Sequence, residues 1–485
     1  MSALVLAAFL VPLAAVPLIW LARDHPNPRE GVTLVAAVAL FALVVALYPG
    51  ISAGGRPGVT LVAMLPAVPL RFEVEPLGLL FALVASFLWI VTSVYSIGYM
   101  RCHHEVHQTR FYAYFALALA AAIGVAFAAN LVTLFVFYEA LTLSTYPLVT
   151  HHGTPEARAG GRTYLVILLA TSTVFFLLAI LATAAIAGTT DFRAGGILAG
   201  EASPVALGVL LALFVFGIGK AAVMPFHRWL PAAMVAPTPV SALLHAVAVV
   251  KAGVFSVLKV VLYVFGADVV AGLATGRLLA YVAAATIVIA SLVALGKDNL
   301  KARLAYSTVS QLSYIVLGAL IANAAGIVGG AMHIAMHAFS KITLFFCAGA
   351  IYVATGRTEV SQLSGIGRAM PITMAAFLLA SLSIIGLPPF GGLWGKWYLI
   401  LGALGNDAYV FVAALVASSL LNVFYLLPIP LRAFFGRPDG RVGEAMAEAP
   451  WACVAALSVT AIGTLVLFFA ADPLYALLLP LVAPR

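Results

Sequence analysis

Five ionisable side chains lie in apolar stretches of this 485-residue chain: Glu139, Lys220, Lys251, Lys341 and Lys396. A charge in hydrocarbon costs several kcal/mol, so such residues usually face an aqueous path or pair with one another. Carboxylates and amines bind and release protons without covalent chemistry. The residue types therefore indicate ion or proton transfer as the chemistry that this chain could perform.

Histidines extend this set along the same apolar stretches. The segment HIAMHAFSK places His333, His337 and Lys341 at positions i, i+4 and i+8, on a helical stripe about 12 Å long. His245 precedes Lys251 by six residues. Histidine titrates near neutral pH, and desolvation makes a lysine easier to deprotonate, so the set predicts a proton path. No carboxylate or cysteine lies near the histidine pair, and a metal site there is not favoured.

The composition indicates a membrane protein. The chain is 64% apolar and 9% charged, with a mean hydropathy of +1.13, a balance outside the range of soluble proteins. Apolar runs of about 18 residues or more can each cross a bilayer as a helix, and the chain contains about fourteen of them. These runs are 3–22, 31–48, 77–99, 111–129, 131–150, 163–187, 205–230, 240–265, 269–295, 302–323, 326–354, 371–404, 408–435 and 450–470.

We therefore predict one all-helical membrane domain over residues 1–485. The first run has no preceding basic residue and no convincing cleavage site, so it is interpreted as a retained helix. The longest connection, 49–76, is predicted to be an irregular loop.

The distribution of basic residues predicts the orientation. Few of them fall in the segments predicted to be outside, whereas most of the loop arginines and lysines fall in the inner loops, as the positive-inside rule requires. The outer residues are Arg56, Arg71, Arg193, Arg277 and Arg485. Both termini are therefore expected on the outer side of a cell inner membrane, and the net charge of +8 is attributed to loops near anionic lipid.

Other motifs receive simpler interpretations. Lys259 is expected to snorkel to lipid headgroups, and the CHHEVH segment and His151–His152 are interpreted as solvated loops. The cysteines Cys102, Cys347 and Cys453 are scattered, and neither a nucleotide-binding motif nor a metal motif is present. No cofactor, metal, nucleic acid or redox centre is expected.

Two spans are interrupted beside a lysine. Pro225 follows Lys220, and Pro388 and Pro389 precede Lys396; proline removes a backbone donor and clashes with the preceding turn. Broken helices near buried charges are typical of ion sites. The alternative is that these prolines only kink packed helices.

The two breaks are five spans apart, and an odd separation reverses direction across the membrane. This spacing predicts two inverted five-helix repeats, at 111–265 and 269–435, with flanking helices in 1–99 and 450–485.

Several long segments resemble the antiporter-like subunits shared by respiratory complex I, membrane-bound hydrogenases and Mrp cation/proton antiporters. These segments are FVFYEALTLSTYPLV, GIGKAAVMPFHRWLPAAMVAPTPVSALLHAVAVVKAG, LKARLAYSTVSQLSYI, HIAMHAFSKITLFFCAGAI and GLPPFGGLWGKW. The resemblance covers roughly residues 75–435 and implies a fourteen-helix core with two inverted repeats.

The resemblance also implies roles for single residues. Glu139 and Lys220 would form a buried ion pair, and Lys251 would be the central lysine, with His245 nearby. The stripe of His333, His337 and Lys341 matches the polar eleventh helix. Lys396 matches a position that separates subfamilies, and a lysine there is similar to the Mrp D-type subunit.

Few residues follow the fourteenth predicted span, and the chain is therefore expected to lack the long lateral helix of the largest members. It is therefore expected to be a proton-translocating subunit of a multisubunit complex, most simply an Mrp-type Na⁺(K⁺)/H⁺ antiporter. The alternatives are a subunit of a complex I-like NADH:quinone oxidoreductase or a membrane-bound hydrogenase, an inorganic-carbon uptake subunit, a stand-alone solute transporter and a non-conducting scaffold. The expected partners are other membrane subunits, lipid, protons and Na⁺ or K⁺.

Overall fold

The computed structural model describes residues 1–65, 68–437 and 448–483. Arg441, in a predicted inner loop, and Arg485, predicted to be outside, lie outside the described residues, as does the end of the flanking segment 450–485. The described part of the chain is almost entirely helical.

Most of the helices follow one another with short connections. In chain order they are α1 (Ser2–Leu21), α2 (Pro26–Ser52), α3 (Pro76–Cys102), α4 (Gln108–Ala126), α5 (Leu131–Val149), α6 (Pro155–Thr171), α7 (Leu177–Ala187), α8 (Pro204–Gly217), α9 (Trp229–Ala232), α10 (Thr238–Ala242), α11 (Val249–Val260), α12 (Ala267–Gly272), α13 (Ala274–Leu295), α14 (Leu300–Ile321), α15 (Ala324–Thr355), α16 (Pro371–Ile385), α17 (Gly392–Gly405), α18 (Tyr409–Leu426), α19 (Pro428–Phe435), α20 (Trp451–Phe469) and α21 (Ala471–Leu478). Short π-helical segments at Ser172–Phe176 and Leu243–Val247 connect α6 to α7 and α10 to α11.

Twelve helical stretches of the described chain are long and apolar enough to cross a membrane. Two further predicted spans, 205–230 and 371–404, are divided into shorter helices. The predicted class, an all-helical polytopic membrane protein, is confirmed. The number fourteen and the two inverted repeats stay predictions.

The first interrupted span stops being helical well before its proline. After α8 the chain forms a 3₁₀ turn at Gly219–Ala221, and regular helix resumes only at Trp229, with Pro225 in between. Helix α11 packs directly against this turn. A Cβ atom at Gly253 would lie only 2.3 Å from the backbone nitrogen of Ala221, so only glycine permits this approach.

The second interrupted span ends its first half at Ile385 and begins its second at Gly392. Gly386 caps α16 with a φ of +93°, a left-handed conformation that glycine adopts without a steric penalty. Pro388 and Pro389 follow, and neither can donate a backbone hydrogen bond. The break therefore exposes carbonyl groups at the end of α16.

A β-hairpin occupies part of the region that we predicted to be an irregular loop, 49–76. Strands β1 (Gly58–Leu65) and β2 (Val68–Glu73) are antiparallel, and Phe72 forms a further bridge with Ala128. The apolar run here is too short to span a bilayer, and its β-branched residues favour a strand. A search for long apolar runs does not detect such an element.

The most deeply buried helices carry most of the candidate residues. In an 18-residue apolar window of Thr238–Phe265, 100% of the residues are buried, and the corresponding figure for both α14 and α15 is 94%. In Ser2–Leu21 it is 33%. The ionisable groups of α11 and α15 therefore lie in the interior of the bundle and not on its lipid-facing surface.

Candidate functional site

Lys220 lies in the 3₁₀ turn of the first interrupted helix and is fully buried. Its ammonium group donates to the carbonyl oxygen of Tyr138 at 2.8 Å and to the hydroxyl of Thr142 at 2.6 Å. The nitrogen also lies 3.2 Å from the centre of the Tyr138 ring, where a cation is attracted by the π electrons. The turn and α5 together hold the charged end of this lysine.

Glu139 follows Tyr138 in α5, but its carboxylate does not contact Lys220. Both carboxylate oxygens are buried, and neither has a hydrogen-bond partner among the residues that the structure describes. The ion pair that the resemblance implies is therefore open in this structure, with the ammonium group bound one residue away from the acid.

Lys251 and His337 meet at the centre of the molecule. The ammonium nitrogen of Lys251, on α11, lies 2.5 Å from Nδ1 of His337, on α15, and both residues are buried. Neither the ammonium form of lysine nor a protonated ring nitrogen has a lone pair to accept with. The contact can therefore form only when one of the two groups lacks a proton.

His333 lies one turn from His337 along α15, so that Lys251, His337 and His333 form a row of buried bases. Its ring centre lies 5.8 Å from that of His337, and its Nε2 is 3.0 Å from the side-chain oxygen of Gln311. Tyr314 stacks against the His333 ring at 5.5 Å. The remaining ring nitrogens, Nδ1 of His333 and Nε2 of His337, have no partner within the described chain.

Lys396 lies on α17, just after the second interruption. Its ammonium group donates to the carbonyl of Ile385 at 3.1 Å and to the hydroxyl of Ser419 at 2.8 Å. It lies 5.1 Å from the centre of the Tyr314 ring. Each interrupted helix thus places a buried lysine beside a tyrosine ring of a neighbouring helix, although the second lysine has no acid among its contacts in the described structure.

Lys341 and His245 lie beside this row. Lys341 donates to the hydroxyl of Ser307 at 2.6 Å and to the carbonyl of Leu304 at 3.3 Å. His245, in the π-helical segment before α11, packs on the ring of Phe345 at 4.5 Å. Its two nitrogens have no hydrogen-bond partner in the described residues.

Some contacting residues were not singled out by the sequence. Gln311 and Tyr314 lie in the hydroxyl- and amide-rich segment of α14, but only the structure shows that they contact His333. Ser419 was not singled out by the sequence, because serines within helices commonly bond backbone carbonyls of their own helix.

The position of Lys259 differs from our prediction. We expected it to snorkel, yet it is buried and pairs with Glu75 at 3.4 Å. Glu75 precedes Pro76 at the start of α3, far away in sequence. The acid is brought to Lys259 only by packing, which is why the sequence did not indicate the pair.

The position of His151 also differs from our prediction. We interpreted His151–His152 as solvated, but the His151 side chain is buried, with its Nε2 3.7 Å from Glu105, and His152 bonds the same carboxylate at 3.2 Å. Burial lowers the pKa of His151 to about 4, although Glu105 opposes this effect. Within the described ranges, no group of three or more metal-ligating side chains is placed to hold an ion.

The fold and the site define a class: a polytopic helical membrane protein with two interrupted helices and a buried row of amines and imidazoles. Residues 128–422 match the family described as NADH:quinone oxidoreductase/Mrp antiporter, TM, and the chain belongs to this family.

Several curated relatives are similar over most of the chain. Subunit N of an NADH-quinone oxidoreductase from Desulforudis audaxviator is 36% identical over 375 residues, which are 76% of this chain and 74% of the relative. Subunit L from Mycobacterium tuberculosis is 31% identical over 408 residues, 82% of this chain and 62% of the relative. The chain thus spans less than two thirds of the length of some relatives.

Two solved structures are similar over nearly the whole chain. A chain of the Mrp complex from Dietzia sp. superposes with a TM-score of 0.87 at 25% identity, covering 99% of this chain and 97% of that one. A chain of an archaeal membrane-bound sulfane sulfur reductase gives a TM-score of 0.85 at 23% identity, with coverage of 99% and 97%. The second likeness concerns the fold alone.

Proposed function

We propose that this protein moves protons through the membrane along its buried row of Glu, Lys and His side chains, as a D-type subunit of an Mrp cation/proton antiporter. The contact between Lys251 and His337 carries the proposal. The two nitrogens lie 2.5 Å apart, within hydrogen-bond distance, so one of these two buried basic groups must accept a hydrogen bond from the other. Such a contact is suited to passing a proton from one group to the other.

The first half of the path depends on Glu139 and Lys220. When the carboxylate approaches the ammonium group, it stabilises the cation, and Lys220 keeps its proton. When the pair opens, Lys220 is left with neutral oxygens of Tyr138 and Thr142. Burial then favours loss of the proton toward Lys251. The two arrangements couple the position of one carboxylate to proton transfer.

The second half runs along α15 to the second interruption. His337 and His333 have ring centres 5.8 Å apart, and each has one ring nitrogen without a hydrogen-bond partner among the described residues. One bridging water can connect groups at such a separation. Tyr314 contacts both His333 and Lys396, so the row ends at the lysine of the second broken helix. His245 and Lys341 are proposed to tune the charge of this region.

The assembly is proposed from the relatives. The Mrp chain is of similar size, since 97% of it is covered, and a lysine at position 396 is similar to the D-type pattern. We place the protein in the cell inner membrane with both termini outside, among other membrane subunits, exchanging Na⁺ or K⁺ for protons.

A complex I-like function is the second candidate. The 36% identity to subunit N of an NADH-quinone oxidoreductase favours it. In that case, redox energy from other subunits would drive the same proton path. Loss of salt tolerance in a deletion strain supports the antiporter, whereas loss of quinone-linked NADH oxidation supports the oxidoreductase.

The proton path is tested by substitutions in the assembled complex. Glu139→Gln and Lys220→Met are expected to abolish proton transport into membrane vesicles, measured with a pH-sensitive dye, while the complex still assembles. Glu156→Gln, at an exposed acid in the first turn of α6, is the matched control and should transport normally. Normal transport in either of the first two variants contradicts the proposal.

A further inference from the structure

A second buried acid–base pair lies outside the row described above. The ammonium nitrogen of Lys259 is 3.4 Å from Oε1 of Glu75, and their side chains are only 2% and 4% exposed. The hydroxyl of Tyr263 donates to Oε2 of the same carboxylate at 3.0 Å. Lys259 also donates to the carbonyl of Ala128 at 2.8 Å.

Stability alone does not explain why this pair is buried. The cost of desolvating two charges largely offsets their attraction, and an apolar pair of similar volume is often as stable. Glu30 and Glu75 are the two acidic residues of the described chain that are buried as whole residues, whereas Glu139 is half-buried and has only its carboxylate oxygens shielded. Glu75 also accepts from the backbone nitrogens of Leu77 and Gly78 at the start of α3, but an uncharged amide could cap a helix too.

The position of the pair indicates a use for it. Lys259 lies on α11, eight residues beyond the central Lys251, which corresponds to about 12 Å along the helix axis. Beyond the pair, Glu73 at the end of β2 binds Arg71 at 2.7 Å, and their side chains are 24% and 39% exposed. Ala128, whose carbonyl accepts from Lys259, forms a backbone bridge with Phe72, the residue before Glu73. The buried pair therefore lies between the central lysine and a water-facing charged group on the hairpin.

We propose that Glu75 and Lys259 form a further proton-transfer site, which connects Lys251 with water beside the hairpin of β1 and β2. This inference rests on the proposed function. In one cycle Lys259 passes a proton to Glu75, so that an N–H bond breaks and an O–H bond forms. Glu75 then releases that proton toward Glu73 and water, and Lys259 takes up another from the side of Lys251. The charges of the pair are restored, and one proton has crossed it.

The test uses four variants of the intact complex in membrane vesicles: Glu75→Gln, Lys259→Met, the double variant and Lys259→Arg. Each is expected to lower the initial rate of proton transport by about tenfold or more, because a positioned proton carrier typically contributes at least that factor. If the other three variants fail to assemble, Lys259→Arg alone tests whether Lys259 transfers a proton. Arginine keeps the charge and the pairing with Glu75 but does not release its proton.

A matched control is Glu30→Gln, since Glu30 is also a buried acid in an ion pair, with Arg29 and Arg101 as its partners. It should transport normally. The inference is wrong if Lys259→Arg or Glu75→Gln transports at the normal rate, or if the neutral double variant recovers what the single variants lose, because charge balance would then be the only role. Glu139→Gln in the same assay separates the two proposals: if it is inactive while Glu75→Gln is normal, only the present inference fails.

Discussion

The ammonium nitrogen of Lys251 lies 2.5 Å from Nδ1 of His337, where α11 and α15 meet, and both residues are buried. One of the two groups must accept the hydrogen bond, so the pair cannot be fully protonated while the contact exists. Addition of a second proton would force the two groups apart. Protonation is thereby linked to the separation of two side chains on α11 and α15, the helices that also carry Lys259, His333 and Lys341.

His337→Gln should retain a hydrogen-bond acceptor for Lys251 but lose the ability to carry a proton. We expect transport by the assembled complex to fall by about a hundredfold, the lower range for a lost acid–base group. The measurement is the initial rate of dye quenching in membrane vesicles. His25→Gln, at an exposed histidine, is the control, and a His337→Gln complex with the rate of the control would exclude proton transfer through this ring.

Lys396→Met should abolish transport, because it removes the last base of the row. Ser419→Ala deletes one of the two oxygens that Lys396 contacts and should lower the rate less severely, since a hydrogen bond to a charged group is worth about 1.5–3 kcal/mol. The neighbouring Ser418 bonds Ser291 and Ser310, and Ser418→Ala is the control. Equal rates for the two serine variants would show that Ser419 does not position Lys396.

Gly253→Ala should destabilise the first interruption, because the added Cβ would lie 2.3 Å from the backbone of Ala221. Overpacking of this kind typically costs about 1–3 kcal/mol. The thermal unfolding midpoint of the purified complex in detergent should fall. Gly31→Ala, a helical position with no atom within 4 Å of the added carbon, should leave the midpoint unchanged or raise it, and equal midpoints for the two variants would refute the close contact.

His151 should make stability depend on pH. Burial holds its pKa at about 4 in the folded protein, below the value of about 6.5 for an exposed histidine. The unfolded chain therefore binds more protons between these values, so stability is full above about pH 6.5 and is lost progressively as the pH falls toward 4, by up to about 3 kcal/mol.

The check is the unfolding midpoint of the purified complex between pH 7 and 5. His151→Gln should show a shallower dependence than the wild type over this range. His25→Gln should show the same pH dependence as the wild type. An unchanged slope in His151→Gln would mean that the buried ring does not contribute.

The sequence was sufficient for the class of protein and for naming the charged residues. Long apolar runs and the positions of lysines such as Lys220 and Lys251 are local properties, and the cost of burying charge makes them conspicuous. The hairpin at 58–73 was missed because its apolar run is short. Glu75 was missed because an acid beside a loop resembles an ordinary capping residue.

The sequence by itself determined that this chain is a helical membrane protein with ionisable groups deep in its spans. The length of an apolar segment and the presence of a charged residue within it are local properties of the sequence. Only the tertiary structure decided which groups meet: Lys251 with His337, Lys259 with Glu75, and Lys220 with the carbonyl beside Glu139 and not with its carboxylate. Hydrogen bonds act over about 3 Å. Such distances between helices far apart in sequence depend on side-chain packing, which no local pattern specifies.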